Sequence, residues 1–251
     1  MDIETAPILG YLWSLWQDGI GLSEMEKDWY ILSFAAKWSD DDRIIYHDSC
    51  GRRNIEDDAH ILRKLWPLLD KADIVVAQNG KRFDVRKINA RFLLNGMKPP
   101  SPYRVVDTKI VAQHKFALTS NGLEYMSRRL CASKKSLHKK FPGFVLWREC
   151  LAGNKEAWEE MKAYNIQDVV STEELYFILR PWIDGHPNVA VYTAGEERVC
   201  PKCGSDNLER RGYSYTQVGK YIRFHCNSCG GWSRGRTTQN APSKRKSLLA
   251  N

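Results

Sequence analysis

Hydrophobic and polar positions along the first 195 residues alternate between strand-like and helix-like periods. Residues 29–38 and 43–47 are β-rich, and Asp40-Asp41-Asp42 between them predicts a hairpin turn. Ile61, Leu62, Leu65, Trp66 and Leu69 then recur on one face at helical spacing, with Asn54 as the expected N-cap. Residues 73–77 read as a short buried strand. From Asp84 onward, Val85, Ile88 and Phe92 share one side while Arg86, Lys87 and Arg91 fall on the other, which predicts an amphipathic helix with a basic face. Residues 104–107 are strand-like, 121–130 helical, and 154–179 a long helix or helix pair. An early hairpin followed by strand and helix alternation predicts an α/β fold, a mixed sheet flanked by helices.

The helical pattern stops near residue 183, which marks residues 1–183 as one domain and 184–195 as a linker. Residues 196–236 hold two C-x-x-C pairs, Cys200 with Cys203 and Cys226 with Cys229, while Cys50, Cys131 and Cys150 are scattered. An odd total of seven argues against a disulfide framework. Gly204 and Gly230 follow the pairs and permit the positive-φ turns that aim backbone N–H groups at a thiolate. Four thiolates at this spacing predict one structural Zn²⁺ in a small zinc ribbon. The scattered cysteines are expected to be buried small hydrophobes. Residues 237–251, with Lys244-Arg245-Lys246 among them, read as a flexible basic tail.

The composition excludes disordered, collagen-like and low-complexity chains: 43% of the 251 residues are hydrophobic, with 17 Gly and 10 Pro. No apolar run is long enough for a membrane span, and Met1-Asp2-Ile3-Glu4 does not resemble a signal peptide, so a soluble, cytoplasmic protein is expected. The net charge of +8 is concentrated: residues 196–251 hold 11 Lys+Arg against 4 Asp+Glu. Such a segment suits a polyanion.

Three separated spots carry candidate chemistry. Asp2 and Glu4 in Asp2-Ile3-Glu4 face the same side of a strand, roughly 6 to 7 Å apart. Asp84 follows an apolar strand and a polar turn, at the carboxyl end where α/β sheets build their sites. Tyr164 and Asp168 are neighbours on one helical face. Four acids in one pocket need cations, and oxygen ligands favour hard ones, Mg²⁺ or Mn²⁺. Two such ions can clamp the attacking and leaving oxygens of an in-line displacement at phosphorus.

Taken together, Asp2-Ile3-Glu4-Thr5, Asn79-x-x-x-Phe83-Asp84 and Tyr164-x-x-x-Asp168 resemble the three motifs of the DEDD (DnaQ-like) 3′-to-5′ exonucleases, which have the RNase H-like fold. The likeness covers about residues 1 to 183, and Tyr164 matches the tyrosine (DEDDy) form. It extends to stand-alone exonucleases related to the proofreading domain of family B DNA polymerases, including phage-encoded members with a C-terminal zinc ribbon. The resemblance implies that Asp2, Glu4, Asp84 and Asp168 bind two divalent metals and that the Tyr164 hydroxyl orients the attacking water. Asn79 would support that site or face DNA, or serve only as a turn residue. Relatives carry several apolar residues before the first motif, whereas here Met1 alone precedes Asp2: either the true start lies further upstream, or the first strand is short and the terminal amine lies near the metal-binding acids.

Lys81, Arg82, Arg86, Lys87 and Arg91 around the second motif, and Arg128, Arg129, Lys134, Lys135, Lys139 and Lys140 further on, are candidate phosphate contacts or ordinary solvated faces. In the ribbon, Arg210, Arg211, Arg223, Arg234 and Arg236 interleave with Tyr213, Tyr215, Tyr221, Phe224 and Trp232, a mixture suited to stacked bases and paired phosphates. A protein-docking ribbon is the other reading. Trp13 and Trp16 are expected to pack, with a place along a substrate groove as the other reading. The expected activity is metal-dependent 3′-to-5′ hydrolysis of DNA by a monomer that meets a single strand or 3′ end, without a membrane and with a replication or repair protein as a further partner. RNA exonuclease, structure-specific endonuclease and non-catalytic nucleic-acid adaptor remain alternatives.

Overall fold

A computed structural model describes residues 1–133, 140–192 and 194–250. The chain divides into two compact units, Met1–Tyr176 and Phe177–Asn251. In the first unit β1 (Asp2–Thr5) leads into a small hairpin of β2 (Leu9–Gly10) and β3 (Met25–Lys27). Next come β4 (Ile31–Lys37) and β5 (Ile44–Asp48), then α1 (Ala59–Lys71), β6 (Ile74–Ala77), α2 (Asp84–Leu94) and β7 (Arg104–Asp107). Four helices follow: α3 (Thr108–Lys115), α4 (Leu123–Leu130), α5 (Val145–Leu151) and the 25-residue α6 (Lys155–Leu179).

The expected mixed α/β organisation is present. β1, β4 and β5 form an antiparallel sheet with β4 in the middle, and β6 pairs with β7 in parallel. The Met1 nitrogen donates to the Val76 carbonyl at 2.9 Å, which brings the start of β1 beside the end of β6. Residues Ile31, Leu32, Ser33, Phe34 and Ala35 are all buried, the signature of a strand covered on both faces. One apolar cluster joins Ile3, Ile31 and Phe34 to Ile61, Leu62 and Leu65 of α1 and Ile88 and Phe92 of α2. The other joins Ala6, Tyr30 and Leu32 to Leu146 and Cys150 of α5 and Trp158 and Met161 of α6. Each large side chain so buried contributes about 1.5–3 kcal/mol.

An ion pair ties these layers together. The Asp58 carboxylate is fully buried, and Arg91 reaches it with two nitrogens, Nε at 2.6 Å and Nη2 at 2.9 Å. Asp58 also accepts from the Ile31 N–H of β4 at 3.0 Å and from Asn95 Nδ2 at 3.2 Å. Two sequence expectations change as a result. Asp58, not Asn54, precedes α1; Asn54 instead closes a turn onto the Glu56 N–H at 3.1 Å. Arg91 leaves the basic face of α2 and turns inward, because a buried carboxylate requires a charge-bearing donor.

Trp13 and Trp16 do not pack: they are 92% and 91% exposed, on the loop between β2 and β3. Strands of two and three residues offer that loop no inner face to cover, and the loop is held by its own hydrogen bonds, such as Tyr11 N–H to the Glu24 carbonyl at 2.9 Å.

In the second unit, 3-10 turns at Arg180–Trp182 and Val189–Tyr192 precede an antiparallel sheet in the order β10 (Trp232–Thr238), β9 (Lys220–Cys226), β8 (Leu208–Tyr215). Where the sequence pattern suggests a tail from residue 237, β10 continues to Thr238 and a short helix α7 (Pro242–Ser247) carries the exposed Lys244, Arg245 and Lys246. No helix among the described residues is long and apolar enough to cross a membrane.

Replacing Asp58 with Ala would leave the Arg91 guanidinium largely buried without its carboxylate, and is expected to lower stability by about 3–5 kcal/mol in urea unfolding. A loss below about 1 kcal/mol would mean that the pair is not the clamp described.

Candidate functional site

β1 places Asp2 opposite Ala35 of β4 and Glu4 opposite Ser33, with a bulge directly after Glu4. Asp84 opens α2, and its Oδ1 accepts from the Ile3 N–H at 3.1 Å, so this carboxylate lies against the backbone between Asp2 and Glu4. α6 supplies Asp168. One oxygen each from Asp2, Glu4 and Asp168 lie within 4.8 Å of one another. The four predicted acids therefore come together, three as a tight group and Asp84 tied to it through Ile3. Tyr164 stands one helical turn before Asp168, and its ring meets the edge of Trp147 with centroids 6.0 Å apart.

The crowding has an electrostatic signature. Burial, and then the charges of Asp84, Glu4 and Asp168, push the Asp2 carboxyl well above the usual carboxylate range. Burial likewise raises Asp84 to about 6, although the N–H groups of Ile3 and of Asp84 itself pull in the other direction. An oxygen-only donor set of this charge fits hard divalent cations.

The turn that delivers Asp84 has a definite cause. Asn79 adopts a left-handed φ of 64°, and its carbonyl accepts from the N–H groups of Arg82 and Phe83 at 3.1 and 3.0 Å. Its own N–H and that of Lys81 donate to the Asp107 carboxylate at 3.1 and 3.0 Å. The observed part played by Asn79 is thus a backbone one. Gly80 is required by close approach, since a Cβ there would stand 2.5 Å from the Ala77 Cβ. Lys81 and Arg82 project into solvent beside this turn.

Two residues of the site escaped the sequence motifs. Asp107, buried at the end of β7 and in register with Ala77 of β6, also caps α3 by accepting from Lys109 and Ile110. Asn165, fully buried, donates from Nδ2 to Asp2 Oδ2 at 2.6 Å. The available signals were two short strands ending level, and a polar residue between Tyr164 and Asp168.

A cavity of about 620 Å³ adjoins the site, lined by Thr5, Ile8, Trp29, Lys87, Phe144 and Trp147 among others. Lys87 bridges its walls: Nζ lies 3.9 Å from the Trp29 ring centre and 3.4 Å from Thr5 Oγ1. Of the other expected basic group, Arg128 pairs with Glu124 at 3.0 Å and Lys140 with Glu156, while Arg129 lies over the Tyr125 ring. Lys134, Lys135 and Lys139 lie outside the described residues.

In the second unit the sulfurs of Cys200, Cys203, Cys226 and Cys229 all lie within 4.8 Å of one another, with Cys200 to Cys229 at 3.8 Å and Cys203 to Cys226 at 3.6 Å. A tetrahedral ion with metal–sulfur bonds of about 2.3 Å needs edges of about 3.8 Å. The donor set and spacing therefore fit one such ion. Gly204 and Gly230 have the positive φ that the sequence predicts, 77° and 75°, and their N–H groups donate to the backbone carbonyls of Cys200 and Cys226 at 2.9 and 2.8 Å. Burial raises Cys203 to about 12. For Cys226, burial works in the same direction but is outweighed by N–H groups of Cys229 and Ser228 and by neighbouring thiols, leaving it at about 7.

Alternation along β9 puts Arg223 and His225 on the face away from Phe224, opposite Arg234 and Trp232 of β10. Arg223 lies 4.9 Å from the Trp232 ring centre, Arg234 lies 4.2 Å from that of Tyr221, and the His225 ring meets Trp232 at a tilt of 52° with centroids 4.8 Å apart. His225 therefore belongs to this face and not to the sulfur cluster. Arg210 approaches Tyr213, Arg211 pairs with Glu209 at 2.9 Å, and Tyr215 is 70% exposed at the end of β8. Phe224 is buried and forms part of the small core.

A family model described as RNase H superfamily matches residues 19–180, a span that takes in Asp84, Tyr164 and Asp168 and begins beyond Asp2 and Glu4. No curated protein matches the chain.

Replacing Gly80 with Ala is expected to cost about 1–3 kcal/mol, because the added methyl must displace Ala77 or the turn. The Gly80 carbonyl accepts from the Val85 N–H at 2.9 Å, so the start of α2 should move with it. Chemical denaturation and amide shifts of residues 79–85 would register both effects; an unchanged midpoint would show that the contact relaxes freely.

Proposed function

The chain belongs to the RNase H superfamily, whose fold implies a nuclease-type hydrolase that meets nucleic acid, and from this premise we propose that it is a metal-dependent 3′-to-5′ exonuclease acting on DNA. The observation that carries the reading is the convergence of Asp2, Glu4 and Asp168 oxygens within 4.8 Å, with Asp84 against the intervening backbone and Tyr164 one helical turn before Asp168. Two Mg²⁺ or Mn²⁺ ions bound by these carboxylates would neutralise the transferring phosphoryl group and activate a water for in-line attack.

The chain's own groups divide the remaining work. The Tyr164 hydroxyl, one turn from Asp168, donates to or accepts from the attacking water and aligns it. Lys81 and Arg82, exposed at the turn that ends in Asp84, attract phosphates without crowding the acids. The neighbouring cavity receives the terminal nucleoside, with Trp29, Phe144 and Trp147 as apolar walls and Lys87 as the single cation among the residues named above. Its volume suits a ligand of that size.

In the second unit, four cysteine sulfurs would hold one Zn²⁺ that fixes the ribbon. The Arg223, Trp232, Tyr221 and Arg234 face combines guanidinium and aromatic planes, a surface on which single-strand bases stack while phosphates pair. Arg211, paired with Glu209 opposite His225, adjoins that surface, whereas Arg210 and Tyr215, opposite Phe224 and Lys220, offer basic and aromatic groups on the other face of the sheet. The net positive charge of residues 196–251 favours the same partner. DNA is favoured over RNA here by the resemblance of the three motifs to proofreading exonucleases, and a cytoplasmic monomer is the simplest setting for it.

The test is degradation of 3′- and 5′-labelled single- and double-stranded DNA and RNA with Mg²⁺ or Mn²⁺. Asp84→Ala is expected to abolish activity, and Tyr164→Phe to lower turnover more than metal affinity. Stepwise shortening of the 5′-labelled strand, with the 3′ label released at once as mononucleotide, supports the polarity. Absence of degradation, or degradation unaffected by Asp84→Ala, would leave a non-catalytic adaptor as the better reading. Elemental analysis should find close to one zinc per chain, lost in Cys203→Ser; a folded, metal-free second unit would contradict the zinc assignment.

A further inference from the structure

We propose that Asn165 is a positioning residue for Asp2, holding that carboxylate in the orientation in which it ligates a divalent cation. The proposal rests on the metal-dependent reading above. Asn165 is fully buried, and both ends of its amide are engaged: Nδ2 donates to Asp2 Oδ2 at 2.6 Å, and Oδ1 accepts from Ser33 Oγ at 3.1 Å. Ser33, also fully buried, lies on β4 directly opposite Glu4. Two hydrogen bonds therefore connect the central strand, through α6, to the first acid of the site. Both anchors sit on regular elements within the packed interior, where supporting groups hold geometry better than loop residues do.

The chemistry of the amide suits this position. Its NH₂ group can only donate, so it engages Oδ2 and leaves Oδ1, together with the other lone pair of Oδ2, available to an ion. A Lys or Arg donor would steady Asp2 equally well but would add positive charge where cations must bind. The Ser33 hydroxyl selects the rotamer in which the amide oxygen faces β4 and the NH₂ faces Asp2. Asn165 is placed to act through Asp2, which makes it distinct from Tyr164 in function although the two are adjacent in sequence.

Outer partners of metal ligands typically alter metal affinity by about 10–100-fold when removed. Isothermal titration of the full chain with Mn²⁺ should show that loss for Asn165→Ala, and a smaller loss of about 2–10-fold for Ser33→Ala, which keeps the amide but frees its rotation. Raising Mn²⁺ should restore turnover of Asn165→Ala on single-stranded DNA toward that of the natural sequence, because the amide does not touch substrate. Ser127→Ala, a buried polar change on α4, should leave Mn²⁺ affinity unchanged. Folded Asn165→Ala with affinity within about two-fold of the natural sequence would overturn the proposal. Should that variant fail to fold, Ser33→Ala decides, and an unchanged affinity overturns it. Failure of the unsubstituted chain to bind Mn²⁺ would instead sink the metal-dependent reading on which the proposal stands.

Discussion

Mutual repulsion among carboxylates is the constraint around which the first unit is organised. Asp2, Glu4 and Asp168 bring oxygens within 4.8 Å, and Asp84 lies against the backbone that separates the first two. At such distances in a partly buried setting the charges oppose one another by several kcal/mol, so the chain must hold them by other means. The means are visible: β1 is fixed by its ladder with β4, Asp84 by the Ile3 N–H, and Asp2 by Asn165. The apolar clusters on either face of the sheet supply the stabilisation against which this local cost is set. Divalent cations would relieve that repulsion, which is the basis of the function proposed above.

The second unit solves a related problem with softer donors. Four cysteines gathered within 4.8 Å fit one tetrahedral ion, and buried thiols without it would be an inert cluster with little reason to adopt turns at Gly204 and Gly230. Oxygen donors select hard ions and thiolates select zinc, so the two sites need not compete for the same metal. Charge divides along the same line. Residues 196–251 hold most of the net +8, and the Arg and aromatic side chains of β9 and β10 alternate onto one face, where charge and stacking surface coincide.

Much of this was legible because it depends on period or spacing. The helical recurrence of Ile61, Leu62, Leu65 and Leu69 and of Ile88 and Phe92 predicts faces that are indeed buried, and C-x-x-C spacing predicts the sulfur cluster. What escaped was information held in the partner of a residue and not in its neighbours. Asp58 and Asp107 look like any surface acid until a distant N–H or guanidinium meets them; Arg91 shares its helix side with Lys87 and reads as solvated until Asp58 is placed. Asn165 is hidden in a helix with apolar contacts on several sides, so no alternation singles it out. Trp13 and Trp16 are exposed against the ordinary preference of tryptophan, which sequence pattern alone cannot reverse.

The central claim is that the four carboxylates form one two-cation site. Crystals soaked in Mn²⁺ and measured at an anomalous wavelength test it directly. The account predicts two anomalous peaks about 3.5–4 Å apart among Asp2, Glu4, Asp84 and Asp168. An absence of peaks there, with manganese bound elsewhere on the chain, would contradict it.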